Sequence, residues 1–356
     1  MRFEPLSGIR VVDLTSSLAG PTCTEILGAL GADVVKVEHP QRGDEARAWG
    51  RPFFDGGSVL FFAANASKRS LALDVKNGQG REALLRLVDR ADVFVQSMRP
   101  GTAERLGLGG AALRARNGRL VYCSVGAFGR RGPLAGKPGY DPLMQAFAGI
   151  VSITGEADRS GVRVGASLVD LGTGTWGALG VVAALHERAA TGRGREVDVA
   201  LFETALSLVG YQLTDTLHTG VAPGRFGTAF PLIAPYEVFR TQDGELMIAA
   251  ANDRLFAQLC RGIGLPELID DPRFRTNPDR LVNRDQLLPL VRERLAQQAS
   301  THWLAVLEGI PVAPVQDLSE VAAHEQTRAT GMVQELDEIE TVALPLQVDG
   351  ERVLHD

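Results

Sequence analysis

An aspartate flanked by small residues stands out in the run Val164-Gly165-Ala166-Ser167-Leu168-Val169-Asp170-Leu171-Gly172-Thr173-Gly174. Apolar residues precede it and a Gly/Thr turn follows. The apolar run beyond, Trp176 to Leu185, reads as a buried helix. This pattern sets a carboxylate at the mouth of a helix, where free N–H groups and the helix dipole favour the ionised form. With open space above it, such a carboxylate can serve as a nucleophile. The same residue type also serves as a plain helix N-cap, and the segment by itself leaves both roles open.

Other chemistries find less support. Cys23, Cys123 and Cys260 are widely spaced; the first two sit in apolar contexts suited to inert, buried thiols, and no disulfide framework is implied. The six histidines show no metal-ligand spacing, so no metal site is expected. A Gly-x-Ser-x-Gly elbow is absent, Ser124-Val125-Gly126 being only a fragment of one. The first βα turn, Thr15-Ser16-Ser17-Leu18-Ala19-Gly20-Pro21, lacks the glycines that bring a backbone against a dinucleotide pyrophosphate. Glu38 alone, at a place suited to a ribose-binding acid, does not rescue a nicotinamide oxidoreductase. Basic residues do cluster in loops: Lys36 and Arg42; Lys68, Arg69 and Lys76; Arg99 and Arg105. Such side chains suit a phosphorylated nucleotide handle, or are solvated surface charges.

The elements that position these groups follow from periodicity. The first forty residues read as strand, helix, strand: Ile9–Leu14, a helix opened by Gly20-Pro21 and closed by Gly31, and Asp33–Val37. Strands at Ser70–Leu73, Asp92–Val95 and Leu120–Val125 and a helix at Gln79–Val88 continue a parallel α/β pattern. Val197-Asp198-Val199 begins a further element, and Phe202–Leu217 reads as one long helix. Gly220–Pro235 is a Gly/Pro-rich linker or site cover. Tyr236–Arg240 and Leu246–Ala250 flank the hairpin signal Asp243-Gly244. Helices follow near Asp253–Arg261, Arg284–Gln298, Thr301–Glu308 and Leu318–Ala323, with a β-like stretch at Ile310–Val315. At 356 residues two domains are expected: a large Rossmann-like α/β domain at 1–219, completed by 306–356, and a small α+β domain at 220–305. A net charge of −6 argues against nucleic-acid binding. No apolar run of membrane-spanning length and no signal pattern at Met1-Arg2-Phe3 are seen, so a cytoplasmic location without membrane attachment is expected.

Taken in order, the segments resemble the class III CoA-transferase (CaiB/BaiF) family. Pro5–Leu14, Ala19-Gly20-Pro21, Leu30–Glu38, Asn65–Lys76, Arg99-Pro100-Gly101, Thr191–Gly194 and Gly309–Val315 carry the likeness. It implies the CaiB/BaiF fold, an interlocked homodimer, and relatives that continue some tens of residues past Asp356. The implied activity moves CoA from an acyl-CoA, succinyl-CoA by preference, to a free carboxylic acid, through a mixed anhydride and an aspartyl-CoA thioester on Asp170. CoA is then substrate, with no tightly bound cofactor. The resemblance places Tyr140, Lys137, Gly139, Ser17 and Leu18 at the acyl site. It places His39, Arg42, Leu73, Lys76, Ser97, Met98 and Arg105 along CoA, with Leu73 and Met98 as walls of the adenine pocket. His39 departs from the basic residue expected there, and Arg42 is the substitute at hand. Racemases of the family carry Gly-His-Asp where this chain has Gly139-Tyr140-Asp141; a tyrosine is a poor base at neutral pH, which favours transfer over α-proton exchange. A non-catalytic CoA-binding protein is a further alternative. Arg163, Lys137 and Arg225 are the candidate partners for a dicarboxylate.

Overall fold

The computed structural model describes residues 3–50, 53–54, 56–336 and 339–355; Met1, Arg2 and Asp356, on which the readings of the termini rest, lie outside them. The chain forms two compact units. One comprises Met1–Val151, Arg163–Ala222 and Glu325–Asp356, the other Ser152–Val162 and Pro223–His324.

The first unit is built on six strands: β1 (Arg10–Leu14), β2 (Asp33–Glu38), β3 (Lys68–Ala72), β4 (Val93–Gln96), β5 (Val121–Gly126) and β6 (Glu196–Ala200). They are all parallel, in the order β3-β2-β1-β4-β5-β6. Valine-rich runs form these strands because helices cover both faces of a parallel sheet; every residue of β4 is buried. The strand order reverses between β1 and β4, where Leu14 lies beside Gln96. Ligands of open α/β sheets bind beyond the carboxyl ends of the strands at this reversal.

The helices that matter here are α1 (Ala19–Ala29), α2 (Gly78–Val88), α3 (Asp141–Phe147), α4 (Leu168–Thr191), α5 (Leu201–Leu208) and α6 (Gly210–Thr219). Glycines let α1 and α4 meet closely. A Cβ on Gly174 would stand 2.7 Å from the Ala19 carbonyl oxygen, and one on Gly177 3.1 Å from Cys23 Sγ. The other unit carries an antiparallel sheet of β7 (Tyr236–Arg240), β8 (Glu245–Ala249) and β9 (Val312–Pro314), in the order β9-β8-β7. Its core gathers Phe239, Ile248, Phe256, Leu259 and Trp303.

Several expectations are revised. The small unit does not close at 305, because β9 pairs with β8 (Leu246 beside Pro314) and keeps the chain in that unit until His324. Residues 152–162 also belong to it: Gly227 N–H donates to the Gly155 carbonyl at 2.9 Å. Phe202–Leu217 is two helices, parted at Val209 before Gly210, a residue that weakens helix continuity. The helix after the Asp170 turn begins at Leu168 and is not wholly buried; Trp176 is 50% exposed and Leu179 55%. Counted from Leu168, it is also long and apolar enough to cross a membrane by length and composition, contrary to the reading of the shorter run. Its opposite face packs within the first unit, with Val169, Val181 and Ala184 buried.

Candidate active site

The reversal of strand order is held in shape by a buried charge network. Asp13, fully buried on β1, accepts from Thr15 N–H and Oγ1 through Oδ1, and from Thr24 Oγ1 and Lys68 Nζ through Oδ2. Lys36 Nζ donates to the Thr15 carbonyl at 3.1 Å and pairs with Asp44 at 2.9 Å. Lys36 and Lys68 are therefore internal struts of the first βα loop and not a nucleotide-facing patch. Arg69 pairs with Asp33 at the start of β2. Glu38 is likewise taken, by Arg47 and Ser70, which hold its carboxyl down at about 2 against the cost of burial.

This scaffold sets the loop that follows. Ser17 has φ 70, a left-handed conformation uncommon outside glycine. Asp44 Oδ1 accepts its N–H at 3.1 Å, and its hydroxyl donates to Glu45 Oε1 at 2.6 Å. The Tyr140 hydroxyl reaches the same Glu45 oxygen at 3.5 Å. Ser16 N–H donates to Ser97 Oγ, joining the loops after β1 and β4.

Asp170 occupies the first turn of α4. It is not the cap. The N–H groups of Val169 and Asp170 donate instead to Asp141 Oδ2, at 2.8 and 3.2 Å. Asp141 lies at the start of α3 with only 1% of its surface exposed. Its other oxygen accepts from Gln145 Nε2 at 2.7 Å, and Gln145 Oε1 accepts from Val164 N–H at 2.8 Å. Among the described residues no hydrogen bond or ion pair reaches the Asp170 carboxyl oxygens. Burial, with the Asp141 charge behind it, pushes this carboxyl up to about 7. The amides expected to stabilise the ionised acid are occupied by Asp141, and the carboxyl stands above an ordinary aspartate. Those two amides are equally closed to an oxyanion.

A cavity of about 770 Å³ opens over Asp170. Tyr140, Lys137, Gly139 and Ser17 line it, as do Arg42, Ser97 and Met98. A smaller recess of about 200 Å³ is lined by His39, Leu73, Lys76, Ser97 and Met98. The two share Ser16, Gly43, Ser97 and Met98, so they form one groove across the strand-order reversal. Two expected residues fall outside it: Leu18 precedes α1 and uses its carbonyl for Thr22 N–H, and the exposed Arg105 donates to Thr102. Arg163 is turned to its own backbone, on the carbonyls of Val164 and Gly165. Arg225 belongs to the other unit and holds the Ser152, Glu156 and Ala157 carbonyls there. The thiols take no part: Cys23 and Cys123 are buried against each other, which pushes Cys23 well up, and burial lifts Cys260 to about 12. Sequence reasoning missed Asp44, Glu45, Asp141 and Gln145, and Trp49, which lines the larger cavity. A signal existed for Asp141 and Gln145, an Asp and a Gln four residues apart on one helix face.

A family model described as CoA-transferase family III matches residues 6–355. The chain is 40% identical over 349 residues to an acetyl-CoA:oxalate CoA-transferase of Acetobacter aceti, covering 97% of this chain and 90% of the relative. It is 37% identical over 337 residues to a succinyl-CoA:glutarate CoA-transferase of Mus musculus, covering 94% and 77%. A CAIB/BAIF family protein from Brucella suis, 38% identical, superposes with a TM-score of 0.89 over 99% of this chain and 94% of that one. Rv3272 from M. tuberculosis, 31% identical, does so at 0.90 over 99% and 96%.

Proposed function

We propose, for a chain that belongs to CoA-transferase family III, that Asp170 is the nucleophile through which CoA passes from an acyl-CoA to a carboxylic acid. The chain is a class III CoA-transferase; the residues, the donor and the acceptor are our reading. An Asp170 oxygen attacks the thioester carbonyl, the C–S bond breaks, and CoA thiolate leaves with the electron pair. The resulting mixed anhydride is attacked by the thiolate at the Asp170 carbon, which expels the first acid and leaves an aspartyl-CoA thioester. The incoming carboxylate attacks that carbon and releases thiolate again. The thiolate then takes the new acyl group and frees Asp170. No proton is gained or lost over the cycle, so no general base is required. The observation that carries this reading is a carboxyl that takes no hydrogen bond among the described residues and lines a cavity of about 770 Å³.

The small recess suits the nucleotide portion of CoA, with Leu73 and Met98 as apolar walls and Lys76 toward the phosphates. His39 lines the recess and Arg42 the larger cavity, so both stand along the proposed CoA path. Arg105 lies beyond the recess and would meet only a phosphate that emerges from it. Replacing Lys76 by Ala is expected to raise the KM for acyl-CoA about 10-fold at little cost in kcat, the loss of one charge-assisted contact. Steady-state kinetics with the donor varied, repeated with a donor lacking the 3′-phosphate, read this directly.

Succinyl-CoA is the preferred donor and a dicarboxylic acid the preferred acceptor; relatives named for oxalate and glutarate support a dicarboxylate. Of the three cations considered for its second carboxylate, Lys137 lines the cavity with Asp170. The reading includes an interlocked homodimer. The surface of α6, which buries none of its residues and leaves Leu217 78% exposed, supports a covering partner. It also includes a cytoplasmic location and no nucleic-acid or membrane partner. A panel of acyl-CoA donors against acids, read by mass spectrometry, tests the activity. Acid-dependent appearance of a new acyl-CoA is expected. Hydrolysis alone, or solvent deuterium entering the α-carbon without an acceptor, would contradict it. Because Asp170 must be ionised to attack, kcat/KM should rise as pH climbs through about 7.

A further inference from the structure

We infer that Asp141 and Gln145 form a clamp on the start of α4 that positions Asp170 and withholds the helix amides from its carboxyl. This rests on Asp170 being the nucleophile. The two clamp residues stand one turn apart on α3, both essentially removed from solvent. Between them they engage both ends of the Val164–Asp170 segment: Val164 N–H on Gln145 Oε1, and Val169 and Asp170 N–H on Asp141 Oδ2. Gln145 Nε2 closes the pair by donating to Asp141 Oδ1. Its orientation is fixed, because a flipped amide would face N–H with N–H at Val164 and leave Asp141 Oδ1 without a donor.

The chemical consequence concerns nucleophilicity. A carboxylate at a helix start ordinarily takes amides for itself and becomes a weaker base. Here a second carboxylate takes them first. Asp170 is left half-buried, beside a like charge, and more basic than a fully solvated aspartate. Other charged groups stand on the surrounding elements: Arg42, Glu45, Arg99 and Lys137 on the cavity wall, Glu25 on α1, Asp198 on β6 and Glu203 on α5. The Asp141 charge adds to burial in raising the Asp170 carboxyl.

The test compares Asp141→Asn, Asp141→Glu and Gln145→Leu, with kcat/KM followed from about pH 5 to 9. Losing the charge in Asp141→Asn should move the acid limb down by about one unit, the effect of removing a nearby like charge. Asp141→Glu keeps the charge and should leave the limb in place. Gln145→Leu should lower kcat about 10- to 100-fold through misplacement, with the limb unmoved. A role confined to stability would not move the limb in one variant and spare it in the others. The Asp170 carboxyl can also be titrated by NMR on protein carrying 13C-labelled aspartate, assigned by its loss in Asp170→Asn. That signal should titrate near neutrality in wild type and lower in Asp141→Asn. An unmoved limb in folded Asp141→Asn, or an Asp170 signal titrating near an ordinary aspartate in wild type, overturns the clamp. A covalent CoA adduct on Asp170 formed in the same wild-type sample would show that the nucleophile assignment survives such a failure.

Discussion

Replacing Asp170 by Ala or Asn is expected to lower CoA transfer by about 10⁴-fold or more, as for the loss of a covalent nucleophile. The fold should survive, for a physical reason. Among the described residues the Asp170 side chain makes no hydrogen bond, and the α4 amides near it are satisfied by Asp141. Asp170→Asn should in fact stabilise the protein at neutral and alkaline pH. The native carboxyl is raised to about 7, above its unfolded value. The stability it contributes is therefore complete below about pH 4 and is lost as pH rises through about 7. Asn removes that loss, so thermal midpoints of variant and wild type should part above neutrality and converge in acid. Equal activity in either variant would remove Asp170 from the mechanism. Midpoints that part in acid instead would remove the argument about its environment.

Lys68→Met is expected to destabilise the protein by about 3–5 kcal/mol, the usual result of leaving one partner of a buried ion pair without the other. Lys68 Nζ donates to Asp13 Oδ2, to the Pro21 and Ala64 carbonyls and to Asn65 Oδ1, all within 3.1 Å. Losing it strands the Asp13 charge under the first βα loop, which lines the groove. Adding Asp13→Asn should recover part of the loss, because the stranded charge is then gone; contacting residues are non-additive in this way. Chemical denaturation of the two single variants and the double variant measures the coupling. A Lys68→Met protein of wild-type stability with weakened acyl-CoA binding would instead return Lys68 to the ligand.

Lys68 also shows where sequence reading stops. A row of lysines and arginines near strand ends reads as an anion site because type and order are visible while burial is not. The side chains of Lys36 and Lys68 proved to be internal, and Lys76, Arg42 and Lys137 face the groove. The parallel strands were legible because valine-rich runs such as Val93–Val95 have few other ways to be satisfied. The short strand Val312–Pro314 was legible as β-like. Its pairing with β8 was not, since pairing across more than sixty residues leaves no local trace. Asp170 stood out by its small neighbours and by its place in a family. Its protonation state did not, because the group that sets it, Asp141, arrives from another helix through tertiary packing.

The central claim is that CoA becomes covalently attached to Asp170 during turnover. Incubating the wild-type enzyme with acyl-CoA alone, quenching, and sequencing the peptides by mass spectrometry tests it most directly. The account predicts a CoA thioester, a gain of CoA less one water, on the peptide carrying Asp170; hydroxylamine should convert it to the hydroxamate, and Asp170→Ala should lack it. An adduct on any other residue, or one that persists in Asp170→Ala, would contradict the account.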